Sequence, residues 1–169
     1  MRVRLSRPLP PLSEVDRISR IRWLAERAAE DARSPLVRQL ARALGRSATR
    51  RELARCALVA VQRHTRFVRD PDEARRGDTF KRAARLLRDG VGDCDDSAPF
   101  LAALYTVLGF HARLVGWSVS APFPEHVGVQ VLVDGRWLDA EPTIPGALLG
   151  ESPYAAADRL RTKRSDLGR

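Results

Sequence analysis

Residue types that can do acyl chemistry together lie along the second half of this sequence. They are Cys94 in the run Gly92-Asp93-Cys94-Asp95-Asp96, His126 at the head of an alternating apolar segment, and Asp139 and Glu141 on the segment after it. A free thiol is only a few per cent ionised near neutrality, so a nucleophilic cysteine needs a helix N-terminus or a cation beside it. Cys94 has the first by pattern. Phe100, Leu101, Leu104, Tyr105 and Leu108 recur at helical spacing behind it, and Gly109 closes the run. Backbone N–H groups around Cys94 would then be available to an oxyanion. Asp93, Asp95 and Asp96 oppose thiolate formation by like charge, unless they cap the helix or bond arginines.

The partners come from a hairpin. Asp134-Gly135 is the strongest hairpin signal in the chain, between His126 to Val133 and Arg136 to Glu141. A two-residue turn there pairs Val133 with Arg136, sets Gln130 opposite Asp139 and sets Gly128 opposite Glu141. His126, Gly128 and Gln130 then share a face with Trp137, Asp139 and Glu141, opposite Val127, Val129, Val131 and Val133. Glu141 lies diagonal to His126, within side-chain reach. Asp139 is one pair further away, and a bulge would reverse the choice between the two acids.

Helices must carry this site. Ser13 opens a first helix with Val15, Ile18, Ile21, Ala25 and Ala28 on one face, ending near Ala32. Ser34-Pro35 starts a second, lined by Leu36, Leu40 and Leu44 and stopped by Gly45. Thr49-Arg50-Arg51-Glu52 is a capping box for a third that runs to about Arg66, with His64 at the end of its apolar stripe as a core or boundary residue. A polar loop over 70–78 and a short helix from Thr79 to Arg88 lead into the glycines before Cys94. Ala112 to Val119 is expected as a strand, 121–124 as a loop, and Tyr154 to Lys163 as a short helix. Helices first and sheet last make the class α+β.

The chain has 169 residues, enough for one core without staples. Its two cysteines are expected as free thiols, Cys56 as a small core residue. No apolar run approaches a membrane span and no secretion signal follows the basic N-terminus, so a cytoplasmic location is the default. The net charge of +9 is uneven: residues 1–69 carry 17 Arg against 6 acids, whereas residues 93–143 carry 2 Arg against 7 acids. The arginines are dispersed round several helices with no interleaved aromatics, so nucleic acid is not the expected partner. No metal or cofactor is expected. Asp93, Asp95 and Ser97 imitate the start of a calcium loop, but Ala98 stands where glycine is needed and Leu104 where a bidentate glutamate is needed. There is no C-x-x-C pair for zinc. His111, just past the Gly109 cap, is expected at the surface, and Trp117, Phe123 and Trp137 line either a groove or the core.

Taken together, Phe67-Val68-Arg69-Asp70-Pro71, Gly92-Asp93-Cys94-Asp95-Asp96, Leu101-Ala102-Ala103-Leu104, Leu108-Gly109, Ala112 to Val115, His126-Val127 and Trp137 to Thr143 resemble the bacterial and phage branch of the transglutaminase-like superfamily. The resemblance covers roughly residues 50–145. It implies a papain-like fold and a Cys-His-acid triad for acyl transfer from amides, by hydrolysis or to an amine, with Cys94 matching the nucleophile and His126 the base. Family members tend to have Trp, three residues, then Asp-Pro-Thr. Here Trp137 is followed by Leu138-Asp139-Ala140 and Glu141-Pro142-Thr143, so Glu141 matches the usual Asp with one methylene more, and Asp139 stays open as its substitute. Pro99 is a second departure, because it removes a helical hydrogen bond near the nucleophile.

The organisation expected is an extended arm over 1–12, a single catalytic domain over 13–145 with a helical part (13–66) and a Cys/His core (67–145), and a C-terminal extension over 146–169. The function expected is cysteine-dependent acyl transfer on a peptide or protein substrate. The alternative is an inactive scaffold that uses its Arg-rich helices to bind nucleic acid or an acidic partner, as in a phage assembly component.

Overall fold

In the computed structural model, which describes residues 14–45, 49–69, 79–118 and 126–156, helices α1 (Glu14–Asp31), α2 (Pro35–Ala43) and α3 (Arg50–His64) come first. Strand β1 (Arg66–Phe67), helix α4 (Ala83–Asp89) and strand β2 (Val91–Gly92) follow. Helix α5 (Cys94–Val107) and the strands β3 (Ala112–Trp117), β4 (His126–Val133) and β5 (Arg136–Ala140) complete the α+β core. The expectations for the arm over 1–12, Ser13, the loops over 70–78 and 121–124, Phe123 and the helix beyond residue 156 fall outside the described residues.

Helix α5 is the axis of the molecule. It is apolar nearly all round, and every residue from Asp95 to Tyr105 is buried, which is the signature of a helix enclosed by others. Helices α1, α2, α3 and α4 and the face of β3 and β4 all pack on it. Tyr105 reaches across to α3, where its hydroxyl donates to the Ala54 carbonyl at 3.0 Å. At the other end of α5, Arg50 closes the helix from outside: its guanidinium donates to the carbonyls of Leu108 and Gly109 and stacks 3.8 Å from the Phe110 ring centroid.

The hairpin has the register that the sequence indicates. Val133 pairs with Arg136, Gln130 with Asp139 and Val129 with Ala140. Asp134 and Gly135 both have positive φ, 51° and 76°, as a tight hairpin turn with matching twist requires. Val127, Val129, Val131 and Val133 are buried in the core. The sheet order is β3-β4-β5, antiparallel throughout, with Trp117 paired to His126.

Local differences from the sequence reading have identifiable causes. The short helix expected from Thr79 begins only at Ala83, because Lys81 N–H donates to Asp96 (2.5 Å) and Ala83 N–H to Asp31 (3.0 Å), so side chains from α5 and α1 answer these donors before the helix starts. Helix α3 stops at His64, and Arg66–Phe67 instead pairs parallel with Val91–Gly92. His64 is exposed, with Nδ1 2.8 Å from the Ala60 carbonyl, and Cys56 is only half-buried. On α1 the buried face runs through Leu24, Ala28 and Asp31, while Ala25 is exposed. His111 is at the surface, as expected. Residues 146–156, expected as an extension, bury Ala147, Leu149 and Ala156, and Gln62 Nε2 gathers the carbonyls of Glu141, Ile144 and Ala147 at 2.9–3.1 Å.

Because α5 is enclosed on all sides, a cavity in it has no cheap collapse. Leu104→Ala is expected to cost about 2–5 kcal/mol, read as a lowered midpoint of urea unfolding with an unchanged slope.

Candidate active site

Two glycines and three carboxylates set the entrance to α5. Gly90 closes α4 with φ 66°, and Gly92 packs so closely that a Cβ built on it would stand 2.6 Å from both the Asp96 carboxylate and a Leu86 methyl. Asp93 is the N-cap and accepts from Asp95 N–H at 3.0 Å; Asp96 reaches back to accept from Asp93 N–H at 3.3 Å. This reciprocal cap fixes Cys94 as the first residue of the helix. Pro99 lies inside α5 without ending it, since Cys94–Val107 is continuous.

Each acid has an engagement that the sequence left conditional. Asp96, almost fully buried, also faces the Lys81 ammonium at 3.4 Å. Burial pushes its carboxyl up to about 6, against the hydrogen bonds and charge of Lys81. Asp95 is ion-paired with Arg20 of α1, and its Oδ1 is 3.6 Å from the Cys94 sulfur, which can donate to it.

The sulfur is brought to the head of β4. Burial raises the Cys94 thiol well above its ordinary value, and the charges of Asp95 and Asp93 add to this. The nearby backbone N–H of Val127, the neighbour of His126, opposes the shift. The resting thiol is therefore neutral, not a preformed thiolate, and it needs a base to react.

The imidazole has one nitrogen committed. His126 Nε2 is 2.6 Å from Glu141 Oε2, and a carboxylate only accepts, so Nε2 carries the proton and Nδ1 is the nitrogen left for exchange. Burial lowers the His126 pKa, but the hydrogen bond and charge of Glu141, followed by the charges of Asp95 and Asp93, outweigh it and hold the ring above its usual value. Glu141 itself has no solvent exposure at its side chain. Its other oxygen accepts from Thr143 N–H at 2.8 Å and Thr143 Oγ1 at 2.5 Å. Asp139 goes elsewhere: it accepts from Gln130 Nε2 at 2.7 Å, across the pair that the hairpin register sets. Of the two acids left open by the sequence, Glu141 is the one on the imidazole.

Trp117 and Trp137, which the sequence left between a groove and the core, complete the surroundings with Tyr154. The Trp117 indole lies over Gly128, where a Cβ would come within 2.9 Å of its Nε1, and Trp117 meets the Tyr154 ring edge-on at 6.1 Å between centroids. A glycine inside an alternating strand was the available signal for this close approach. Trp137 is exposed under the Arg113 guanidinium, 4.2 Å from its ring centroid. Among the described residues no group of three or more His, Cys, Asp and Glu could hold a metal, and no helix is long and apolar enough to cross a membrane.

Comparison with known proteins gives the family and the fold. The family model described as the transglutaminase-like superfamily matches residues 38–142. No curated protein sequence matches the chain. Among solved structures, a "putative protease" from Parabacteroides distasonis superposes with a TM-score of 0.56 at 17% identity, over 71% of this chain and 26% of its own. A "putative cysteine protease" from Cytophaga hutchinsonii gives 0.54, also at 17% identity, over 89% of this chain and 53% of its own. The chain thus spans about a quarter and about half of the lengths of these two proteins.

The burial of Asp96 has a consequence for stability. Its folded value of about 6 lies above the ordinary 3.8, so the native state holds a proton that the unfolded chain releases. Stability from this group is full below pH 4 and falls as pH rises to about 6, by on the order of 2–3 kcal/mol. Urea midpoints measured between pH 4 and 7 are expected to lose that component of their slope in Asp96→Asn.

Proposed function

The chain belongs to the transglutaminase-like superfamily, and from that premise we propose that it catalyses cysteine-dependent acyl transfer on amide bonds of a peptide or protein substrate. Cys94 is the nucleophile, His126 the base and acid, and Glu141 the group that orients the imidazole. The observation that carries this reading is the 2.6 Å contact of a fully buried Glu141 with His126 Nε2, with the Cys94 sulfur near the Val127 backbone N–H.

The steps follow from the protonation states. Neutral His126 takes the thiol proton on Nδ1 as the sulfur forms a bond to the amide carbon and the carbonyl electron pair moves to oxygen. Backbone N–H groups at the first turn of α5 can receive that oxyanion. Collapse of the intermediate breaks the C–N bond, and the imidazolium gives its proton to the departing amine. Water, or a second amine, then attacks the thioester with His126 again as base, and free Cys94 is restored. Glu141 fixes the Nε2–H tautomer and stabilises the imidazolium.

A second reading, a scaffold that binds an anionic partner, is favoured by a different observation. A cleft of about 680 Å³ between α1, α2 and the end of α5 is lined by Arg33, Arg38 and Arg42 above Ala29, Ala41 and Val107. If this face binds a nucleic acid or an acidic protein, affinity falls steeply with salt, drops in an Arg38→Glu/Arg42→Glu variant, and is indifferent to Cys94→Ala.

The enzymatic reading is tested by profiling peptide amides with and without added primary amines. Cys94→Ala is expected to abolish turnover, and Glu141→Gln to lower it by about 10²–10⁴-fold. Asp139→Asn is expected to remain near wild type. Because the base must be neutral and its pKa is raised, the rising limb of the kcat/KM profile should lie above the ordinary histidine value of about 6.5 and move down in Glu141→Gln. Turnover that survives Cys94→Ala would refute the proposal.

A further inference from the structure

We propose that Arg20 is a positioning residue for this chemistry: by holding Asp95, it keeps that carboxylate from competing with His126 for the Cys94 proton. The inference rests on the acyl-transfer reading above. It adds a residue from outside the family match, which begins at residue 38, whereas Arg20 lies on α1.

The geometry is a relay of three side chains. Arg20 pairs with Asp95 Oδ2, and the other oxygen, Oδ1, lies 3.6 Å from the Cys94 sulfur. Both members of the ion pair are almost enclosed, with side-chain exposures of 13% and 11%, so water does little to screen the carboxylate. A carboxylate in such a place, one residue from the nucleophile, is a natural acceptor for S–H. Without the Arg20 charge it would hold the thiol protonated more strongly and would further stabilise the imidazolium of His126, and both effects oppose attack.

The charged groups that face Cys94 and His126 come from several elements. Asp93 caps α5, Asp95 is on it, Glu141 follows β5, and Arg20 is on α1. Asp96 is turned away towards Lys81 and the Asp93 N–H, and Asp93 accepts from Asp95 N–H in the helix cap. Asp95 is tied from outside to a guanidinium, whose fork can occupy a carboxylate with a directed hydrogen bond. Arg20 is therefore placed to discount an acid that touches the sulfur.

The test is the pH dependence of Cys94 alkylation by iodoacetamide, read on the Cys94 peptide by mass spectrometry. Arg20→Ala is expected to move the midpoint to higher pH and to slow labelling at pH 7.5 by on the order of tenfold. Arg20→Lys should restore most of the wild-type profile, Asp95→Asn should move the midpoint down, and Arg20→Ala should be silent in the Asp95→Asn background. A merely structural role would lower the thermal midpoint without moving the alkylation profile. An unchanged profile in Arg20→Ala, or an undiminished effect in the Asp95→Asn background, overturns the inference. Should Arg20→Ala fail to fold, Asp95→Asn decides: a midpoint that does not fall refutes it. His126→Ala keeps the two readings apart, because an alkylation profile indifferent to His126 removes the acyl-transfer reading whatever Arg20 does.

Discussion

A carboxylate with no access to water must have its oxygens answered from within the protein, and Glu141 meets that condition with three donors. His126 Nε2–H occupies one oxygen, and the N–H and hydroxyl of Thr143 occupy the other. The site depends on this enclosure. It fixes the tautomer of His126, aims Nδ1 away from the acid, and raises the proton affinity of the ring. Trp117 packs over Gly128 beside the same carboxylate, where a residue with a Cβ would not admit the indole.

The opposite wall is built from the start of a buried helix. Putting the first turn of α5 inside the molecule would strand its N–H groups, and Asp93 and Asp96 satisfy two of them reciprocally. The cost is a local excess of negative charge around a thiol. Lys81 at Asp96 and Arg20 at Asp95 limit it, and neither comes from the helix itself. Burial and the remaining charge still hold Cys94 neutral, so reactivity must come from proton transfer to His126 in the reacting complex and not from a standing thiolate. Stability and chemistry meet in one turn of helix, and Gly92 lets it pack against Leu86 and Asp96 at a distance no side chain would permit.

Much of this was legible in the sequence where the determinants are local. The Asp134-Gly135 turn and the alternation of β4 set the register, and the register alone ranks Glu141 above Asp139 as neighbour of His126. The Thr49 cap of α3 and the Gly109 end of α5 were equally local. What local pattern could not carry were contacts made by packing distant elements. Arg20 on α1 meeting Asp95, Asp31 capping α4 from another helix, and Gln62 tying down the chain after Glu141 leave no periodic signature. His64 was misjudged because it continues an apolar stripe, yet the helix ends there and the ring turns out to solvent.

The central claim is that His126 is held by Glu141 as a neutral base with Nδ1 open. Nitrogen-detected NMR of the His126 ring, titrated with pH, tests it most directly. A neutral ring protonated at Nε2, with a pKa above that of an ordinary histidine that falls in Glu141→Gln, is the result expected from the structure. A ring protonated at Nδ1 in its neutral form, or one whose titration ignores the loss of the Glu141 charge, would contradict it.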